Sequence, residues 1–302
     1  MGGLPLLLLF GPTGVGKTEL ILRLFPGRGE VISADSMQVY RGLDIGTAKP
    51  SPEVRSLVPH HLIDILDPRQ QYTAGEFVHR AEELIPQIEL RGRIVVISGG
   101  TAYYFRNFLY GLPETPVASP EVRKRLFERL EAEGLSSLYA ELNRLDPVAG
   151  ERISARDTYR ILRALEVFYS TGRPLSSFPV PKNPRLNRTY RLIGLMRDRE
   201  ELYRRIDARV EEMFRQGLPE EVARLLACGY GEEDPGMRGI GYREFFKLGR
   251  LGCLTLSQVK EQIQKDSRRY AKRQITFFKS LPGVQWKHPD SIRSLADLGI
   301  YL

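Results

Sequence analysis

The sequence predicts an α/β protein: a parallel sheet flanked by helices, interrupted by an all-helical insertion. Three observations carry that expectation. An apolar run, Leu6 to Phe10, is followed by a glycine-rich turn and a helical segment. Strand-like runs then recur between helical ones, an alternation that means parallel strands joined by crossover helices. From Pro113 to about Leu186 only helix signals are found. The expected division is therefore a core of residues 1–112 and 187–302 and a helical insertion of residues 113–186.

The first element is the most informative. Gly11-Pro12-Thr13-Gly14-Val15-Gly16-Lys17-Thr18 has the form G-x-x-x-x-G-K-T, between a buried-strand run and a helix, Glu19 to Leu24. Strand, glycine loop and helix together are the context of a phosphate-binding P-loop. Glycines let backbone N–H groups turn around a phosphate, and the helix N-terminus adds positive potential. Lys17 supplies a point charge, and the Thr18 hydroxyl is placed to hold Mg2+. A chance glycine turn would lack the flanking strand and helix.

Pro26 to Gly29 reads as a turn and Glu30 to Ala34 as a second strand, which delivers Asp35 at its carboxyl end. In open α/β sheets that end is where ligands bind. Gly42 to Pro52 reads as a polar loop and His60 to Ile65 as a short strand. Thr73 caps a helix through Leu90, with Glu76 completing a capping box. Ile94 to Ile97 is a buried strand that ends in Ser98-Gly99-Gly100-Thr101.

Within the insertion, Ser119-Pro120-Glu121 starts a helix that Gly134 stops, and Leu135 to Leu145 continues helical. Asp157 caps a helix carrying Ile161, Leu162, Leu165 and Phe168 and closed by Gly172. Arg188 to Leu195 returns to strand character. Arg199 to Gln216 is amphipathic through Leu202, Ile206, Val210 and Met213. Pro219 opens a helix that stops at Gly229, and Gly231 to Tyr242 is a glycine-rich loop. A long helix runs from Ser257 to about Ser280.

Composition narrows the class. The chain has 302 residues and a net charge of +8, a surplus that suits a polyanionic partner. The two cysteines, Cys228 and Cys253, form no CxxC pair, and the four histidines show no ligand spacing, so neither a disulfide framework nor a zinc site is expected. No segment approaches the ~18 apolar residues of a membrane span. Leu4 to Phe10 is too short for a signal-peptide core. A cytoplasmic protein is expected.

Two constellations carry chemistry. Asp35 admits three readings: cap of a following turn, holder of a metal ion, or general base. The strand Ile94 to Ile97 ends without the carboxylate that helps hold Mg2+ in P-loop NTPases, which weakens an ATPase reading. Basic residues, mostly arginines, form the second constellation: Arg123, Lys124, Arg125 and Arg129 on one insertion helix, Arg156, Arg160 and Arg163 on another, Arg238 and Arg243 on the glycine-rich loop. Most basic runs are solvated helix faces. Interleaved aromatics, Tyr159, Tyr242 and Tyr270, favour RNA, whose unstacked bases are gripped by rings and arginines.

These residues together resemble the tRNA dimethylallyltransferases (tRNA isopentenyltransferases). The resemblance rests on Gly11 to Thr18, Asp35-Ser36, Asp44 to Pro50, Gly99-Gly100-Thr101, Tyr159 to Val167, Gly239 to Arg243 and Lys272-Arg273-Gln274. Departures are small: Gly14-Val15 stands where many members have Ala-Ser, and Tyr159 where Gln is common. The resemblance implies a P-loop kinase-like core with a helical insertion. It implies transfer of a dimethylallyl group from dimethylallyl diphosphate to N6 of the adenosine 3′ to the anticodon, with Mg2+ required and diphosphate released. Asp35 becomes the general base, with Thr101 and Lys17 at the reacting centre. Gly11, Pro12, Thr13, Gly14, Val15, Gly16, Lys17 and Thr18 hold the diphosphate, with Arg209 reaching it and Thr18 on the metal.

The tRNA-facing residues it implies are Asp35, Ser36, Met37, Gln38 and Thr101, then Arg123, Tyr159, Arg160, Ile161, Leu162 and Arg163, then Arg238, Gly239, Ile240, Gly241, Tyr242 and Arg243. The expected partners are the tRNA anticodon stem-loop and dimethylallyl diphosphate, with no membrane and a monomeric enzyme. Three readings compete: a P-loop kinase of a small molecule, an adenylate isopentenyltransferase, and a non-catalytic RNA-binding protein using the P-loop as a nucleotide switch. ATP turnover without RNA would mark the first; absence of a covalent product would mark the last.

Overall fold

Strand β1 (Leu6–Phe10) is buried along its whole length because it lies inside the sheet, hydrogen bonded on both edges. A strand covered on both faces needs a continuous apolar run, and Leu-Leu-Leu-Leu-Phe is one. The computed structural model describes residues 4–115, 119–249 and 255–301. Cys253 lies outside them, and Cys228 is a free, exposed thiol. Two compact units are present: Met1–Phe108 with Leu186–Leu302, and Leu109–Arg185.

In the first unit β1 leads through α1 (Lys17–Leu24) to β2 (Gly29–Ser33), then α2 (Pro52–Leu57), β3 (His60–His61), α3 (Ala74–Leu90), β4 (Ile94–Gly99) and α4 (Ala102–Tyr110). Chain order is kept for the second unit's helices, α5 (Pro120–Glu133), α6 (Leu135–Leu145), α7 (Pro147–Arg152) and α8 (Thr158–Thr171). The first unit resumes with β5 (Tyr190–Leu195), α9 (Arg199–Arg215), α10 (Leu218–Ala227), α11 (Arg243–Gly249), α12 (Leu256–Phe278) and β6 (Gln285–Lys287).

The strand order is β3-β2-β4-β1-β5-β6, and every pairing is parallel. All carboxyl ends therefore open on one edge. That edge receives the loop after β1, Asp35 after β2 and Gly99 to Thr101 after β4. Beneath the sheet, Leu7, Leu9, Val96 and Ile193 pack with Leu20 and Ile21 of α1 and Leu202 and Ile206 of α9. Phe10, the last residue of β1, stacks on Phe278 of α12 with ring centroids 4.5 Å apart. That contact fixes α12 under the end of β1, with Gln274 one helical turn earlier on the same face.

The capping box before α3 forms as expected, Thr73 with Glu76. The expected strand at residues 60–65 is a correction: only His60–His61 pair, because Leu62 (φ 63°) and Asp64 (φ 58°) turn left-handed. The long helix also starts one residue earlier than expected, where Thr255 and Gln258 form its capping box.

Among its described residues the second unit has helices joined by loops and no strand. Ser119 accepts from Val122 N–H and Asp157 from Arg160 N–H at the starts of α5 and α8. Leu126, Leu138, Leu142, Ile161 and Leu165 form its own core. No helix of the described residues is long and apolar enough to cross a membrane.

Candidate active site

The loop after β1 turns twice through backbone that glycine alone adopts without strain, Gly14 at φ 78° and Gly16 at φ 105°. Its carbonyls are held from outside. Arg205 Nε donates to Gly14 O and Arg197 Nε to Val15 O, both at 2.9 Å. A trans peptide carries its C=O and N–H on opposite sides, so a tethered Val15 carbonyl turns the Gly16 N–H inward. Glu19 pairs with Arg205, and Glu201 and Asp290 pair with Arg197. These two arginines therefore hold shape more than they add charge. The cluster Glu201, His288 and Asp290 has metal-ligand chemistry, but the Arg197 guanidinium already pairs with it.

Lys17 Nζ donates to Gly11 O at 2.9 Å and Pro12 O at 3.0 Å. Burial, and secondly the nearby Arg209, lower its pKa to about 8, against an opposing pull from Asp35. Arg209 reaches the loop from α9, donating to Thr13 Oγ1 at 3.2 Å and to Thr47 O at 3.4 Å. Burial lowers its pKa too, and Asp35 opposes the shift.

Across the sheet edge, Asp35 Oδ1 accepts from Met37 N–H at 2.9 Å and Gln38 N–H at 3.3 Å. One carboxylate oxygen thus shapes the turn, and Oδ2 accepts no hydrogen bond among the described residues. Thr101 is tied to the same turn: its Oγ1 accepts from Ser36 N–H at 3.0 Å and donates to Ser36 Oγ at 3.3 Å. The Tyr270 hydroxyl lies beside the side chains of Thr101 and Gln274, and burial pushes its pKa up to about 12.

A small cavity of about 50 Å3 lies at this edge, lined among others by Lys17, Thr18, Ser33, Asp35, Gln38 and Ser98. Phosphate-loop lysine, hydroxyl and carboxylate share it. Such a site can bind a polyphosphate at one end and accept a proton at the other.

A second layer fixes the loop after Asp44. Glu221 is buried and accepts from the N–H groups of Asp44, Ile45 and Gly46 at 3.1, 2.8 and 3.2 Å. Its Oε1 also accepts from the Tyr242 hydroxyl at 2.7 Å. Tyr242 lies against Gly46, where even a Cβ would come within 2.5 Å of the ring. Met37 packs on Gly239 in the same way, which brings the Asp35–Gln38 turn and the glycine-rich loop into contact.

Four of the residues expected to face tRNA are committed within the protein. Tyr242 is 0% exposed and bonded to Glu221, so its ring is no stacking platform. Ile161 and Leu162 are core residues of the second unit. Arg243 is partly committed, to Glu244 at 2.8 Å and Asp266 at 3.3 Å. Open positions are Tyr159, 77% exposed, and its neighbour Arg160, which pairs with Asp157. In the same unit Glu166, buried, holds Arg123 at 2.8 Å and Arg163 at 3.3 Å.

Sequence reasoning did not find Arg197, Arg205, Gln274 or Glu221 as site residues. Each acts on backbone atoms, which no spacing rule reveals. Gln274 Oε1 accepts from Thr13 N–H at 3.0 Å, and its Nε2 donates to Gly100 O at 2.7 Å.

A family model described as IPP transferase matches residues 38–281. A protein of Geobacter sulfurreducens named tRNA dimethylallyltransferase is 42% identical over 298 residues, covering 96% of this chain and 95% of its own. A Borrelia hermsii protein of the same name is 43% identical over 291 residues, covering 96% of each. Among solved structures, a full-length tRNA isopentenylpyrophosphate transferase of Bacillus halodurans aligns with TM-score 0.64 and 37% identity, over 94% of this chain and 89% of that one. A eukaryotic dimethylallyltransferase acting on tRNA aligns with TM-score 0.71 and 27% identity, over 93% and 73%.

Proposed function

The chain belongs to the IPP transferase family, and from that premise we infer a division of labour among its residues. It transfers the dimethylallyl group of dimethylallyl diphosphate to N6 of the adenosine 3′ to the anticodon of tRNA, and diphosphate leaves. The observation that supports the assignment of roles is the shared cavity of Lys17, Thr18 and Asp35.

The adenine amine is a weak nucleophile because its lone pair is delocalised into the ring. Asp35 acts as general base through Oδ2, taking the amine proton as the N–C bond forms, an effect worth about 10²–10⁴-fold. Thr101 orients the amine beside it. At the other end of the reaction the C–O bond to diphosphate breaks and negative charge grows on the leaving group. The amides of Gly14 and of Gly16 to Thr18, with Lys17 and Arg209, are aimed at that charge.

Mg2+ suits the donor set: the Thr18 hydroxyl is exposed at the start of α1 and lines the cavity with Asp35, and oxygen ligands match a hard cation. Thr18 would hold the ion, which would add charge stabilisation to the diphosphate. The tRNA anticodon stem-loop is the acceptor. In the first unit Ser36 to Gln38 and Arg238 to Ile240 face it. The second unit offers Tyr159, Arg160, Arg123 and Arg163. A tRNA substrate supports a cytoplasmic enzyme, and a monomer is the proposed working form.

The test is incubation with labelled dimethylallyl diphosphate, Mg2+ and unmodified tRNA, followed by nucleoside analysis. Label in N6-alkyladenosine is expected; active protein that leaves the RNA unlabelled would overturn the reading.

A further inference from the structure

Gln274 joins the two sides of the reaction centre. It is 3% exposed, and both arms of its amide are committed to backbone of different loops: Thr13 N–H in the loop after β1 and Gly100 O in the loop after β4. A Cβ on Gly100 would lie 2.4 Å from Nε2, so the loop is pressed directly onto the amide. Tyr270, one turn earlier, lies beside both Gln274 and Thr101. Phe278, one turn later, is stacked on Phe10. Three successive turns of α12 thus lock the end of β1, the phosphate loop and the acceptor loop to one rigid rod.

A neutral amide can neither take up a proton nor stabilise a full charge as an ion does, so its role is geometric. We propose that Gln274 is a positioning residue that sets the spacing between the diphosphate loop and the Thr101–Asp35 side, holding the allylic carbon in line with the adenine nitrogen. The proposal rests on the prenyl-transfer reading of the site. Near-attack geometry is demanding: a displacement of about 1 Å can cost ~10²-fold in rate.

The test is Gln274→Glu, read by single-turnover transfer with both substrates saturating across a pH series. The substituted carboxylate still accepts from Thr13 N–H, but its second oxygen faces the Gly100 carbonyl, acceptor against acceptor. Once protonated, its O–H donates to Gly100 O and the amide geometry returns. Burial and the facing carbonyl raise the pKa of such a carboxyl, so the recovery falls in a usable range. The titratable and charged neighbours, Tyr270, Asp35, Lys17, Arg209 and Arg273, are common to both enzymes and cancel in the variant-to-wild-type ratio.

The expected result is a ratio about 10- to 100-fold below one at high pH that climbs toward one as pH falls. Gln274→Met, which lacks both arms, gives a comparable loss that does not vary with pH. Donor and tRNA dissociation constants and the melting temperature stay near wild type for Gln274→Glu at low pH. A ratio flat with pH beside an active wild type overturns the proposal alone. A wild type that transfers no label overturns the functional reading and the proposal with it.

Discussion

Lys17 and Asp35 face one cavity from opposite sides, and their charges are coupled through it. Burial and Arg209 disfavour the lysine cation, which is why its pKa falls to about 8. A diphosphate needs that cation. The second-order constant for the donor, which reports the free enzyme, should therefore be full below about pH 8 and fall about tenfold per unit above it. Lys17→Arg, charged at every accessible pH, should remove the fall while lowering the plateau. A donor kcat/KM unchanged up to about pH 10, the range of an ordinary lysine, would refute the assignment. The residues proposed to carry charge to the reaction are ones the sequence points to, because glycine spacing and strand ends have a fixed relation to phosphate chemistry. Arg197, Arg205 and Gln274 are not, because their work is done on carbonyl and amide groups that every residue has.

At the scale of elements, loops packed on loops decide which segments reach the surface. Gly46 exists beneath the Tyr242 ring, and Glu221 of α10 fastens three amides of the same loop. Glu221→Leu would orphan those amides and the Tyr242 hydroxyl at about 1–3 kcal/mol per buried group left unpaired. A clear drop in the urea midpoint is expected, together with a higher donor KM, since Thr47 O of that loop accepts from Arg209. An unchanged midpoint would show that water replaces the carboxylate without cost. This layer also explains where sequence reasoning went astray. An aromatic beside arginines looks like a base-stacking ring, yet Tyr242 is buried by partners 21 and 196 residues away in the chain, Glu221 and Gly46. The helices of the second unit were readable because their signals are local: Ser119, Asp157, Gly134 and Gly172 each mark an end. The strand expected at residues 60–65 failed for the opposite reason, since a short apolar stretch says nothing of the left-handed turns at Leu62 and Asp64.

At the scale of the molecule, an all-parallel sheet gathers the ends of β1, β2 and β4 on one edge, and helices α9 and α12 brace that edge from outside. In the proposed reaction the P-loop acts on a leaving group, and the new bond forms at carbon beside the phosphates it grips. Asp35 is where this account is most exposed, because its Oδ1 already has a structural task in the turn. Asp35→Asn keeps an acceptor for the Met37 and Gln38 amides and removes only the basicity. The decisive measurement is the single-turnover rate of label transfer to N6 of adenosine with saturating donor and tRNA, together with tRNA affinity by filter binding. A loss of at least ~10²-fold in rate with tRNA affinity unchanged is expected. A variant that transfers as fast as the wild type would contradict it.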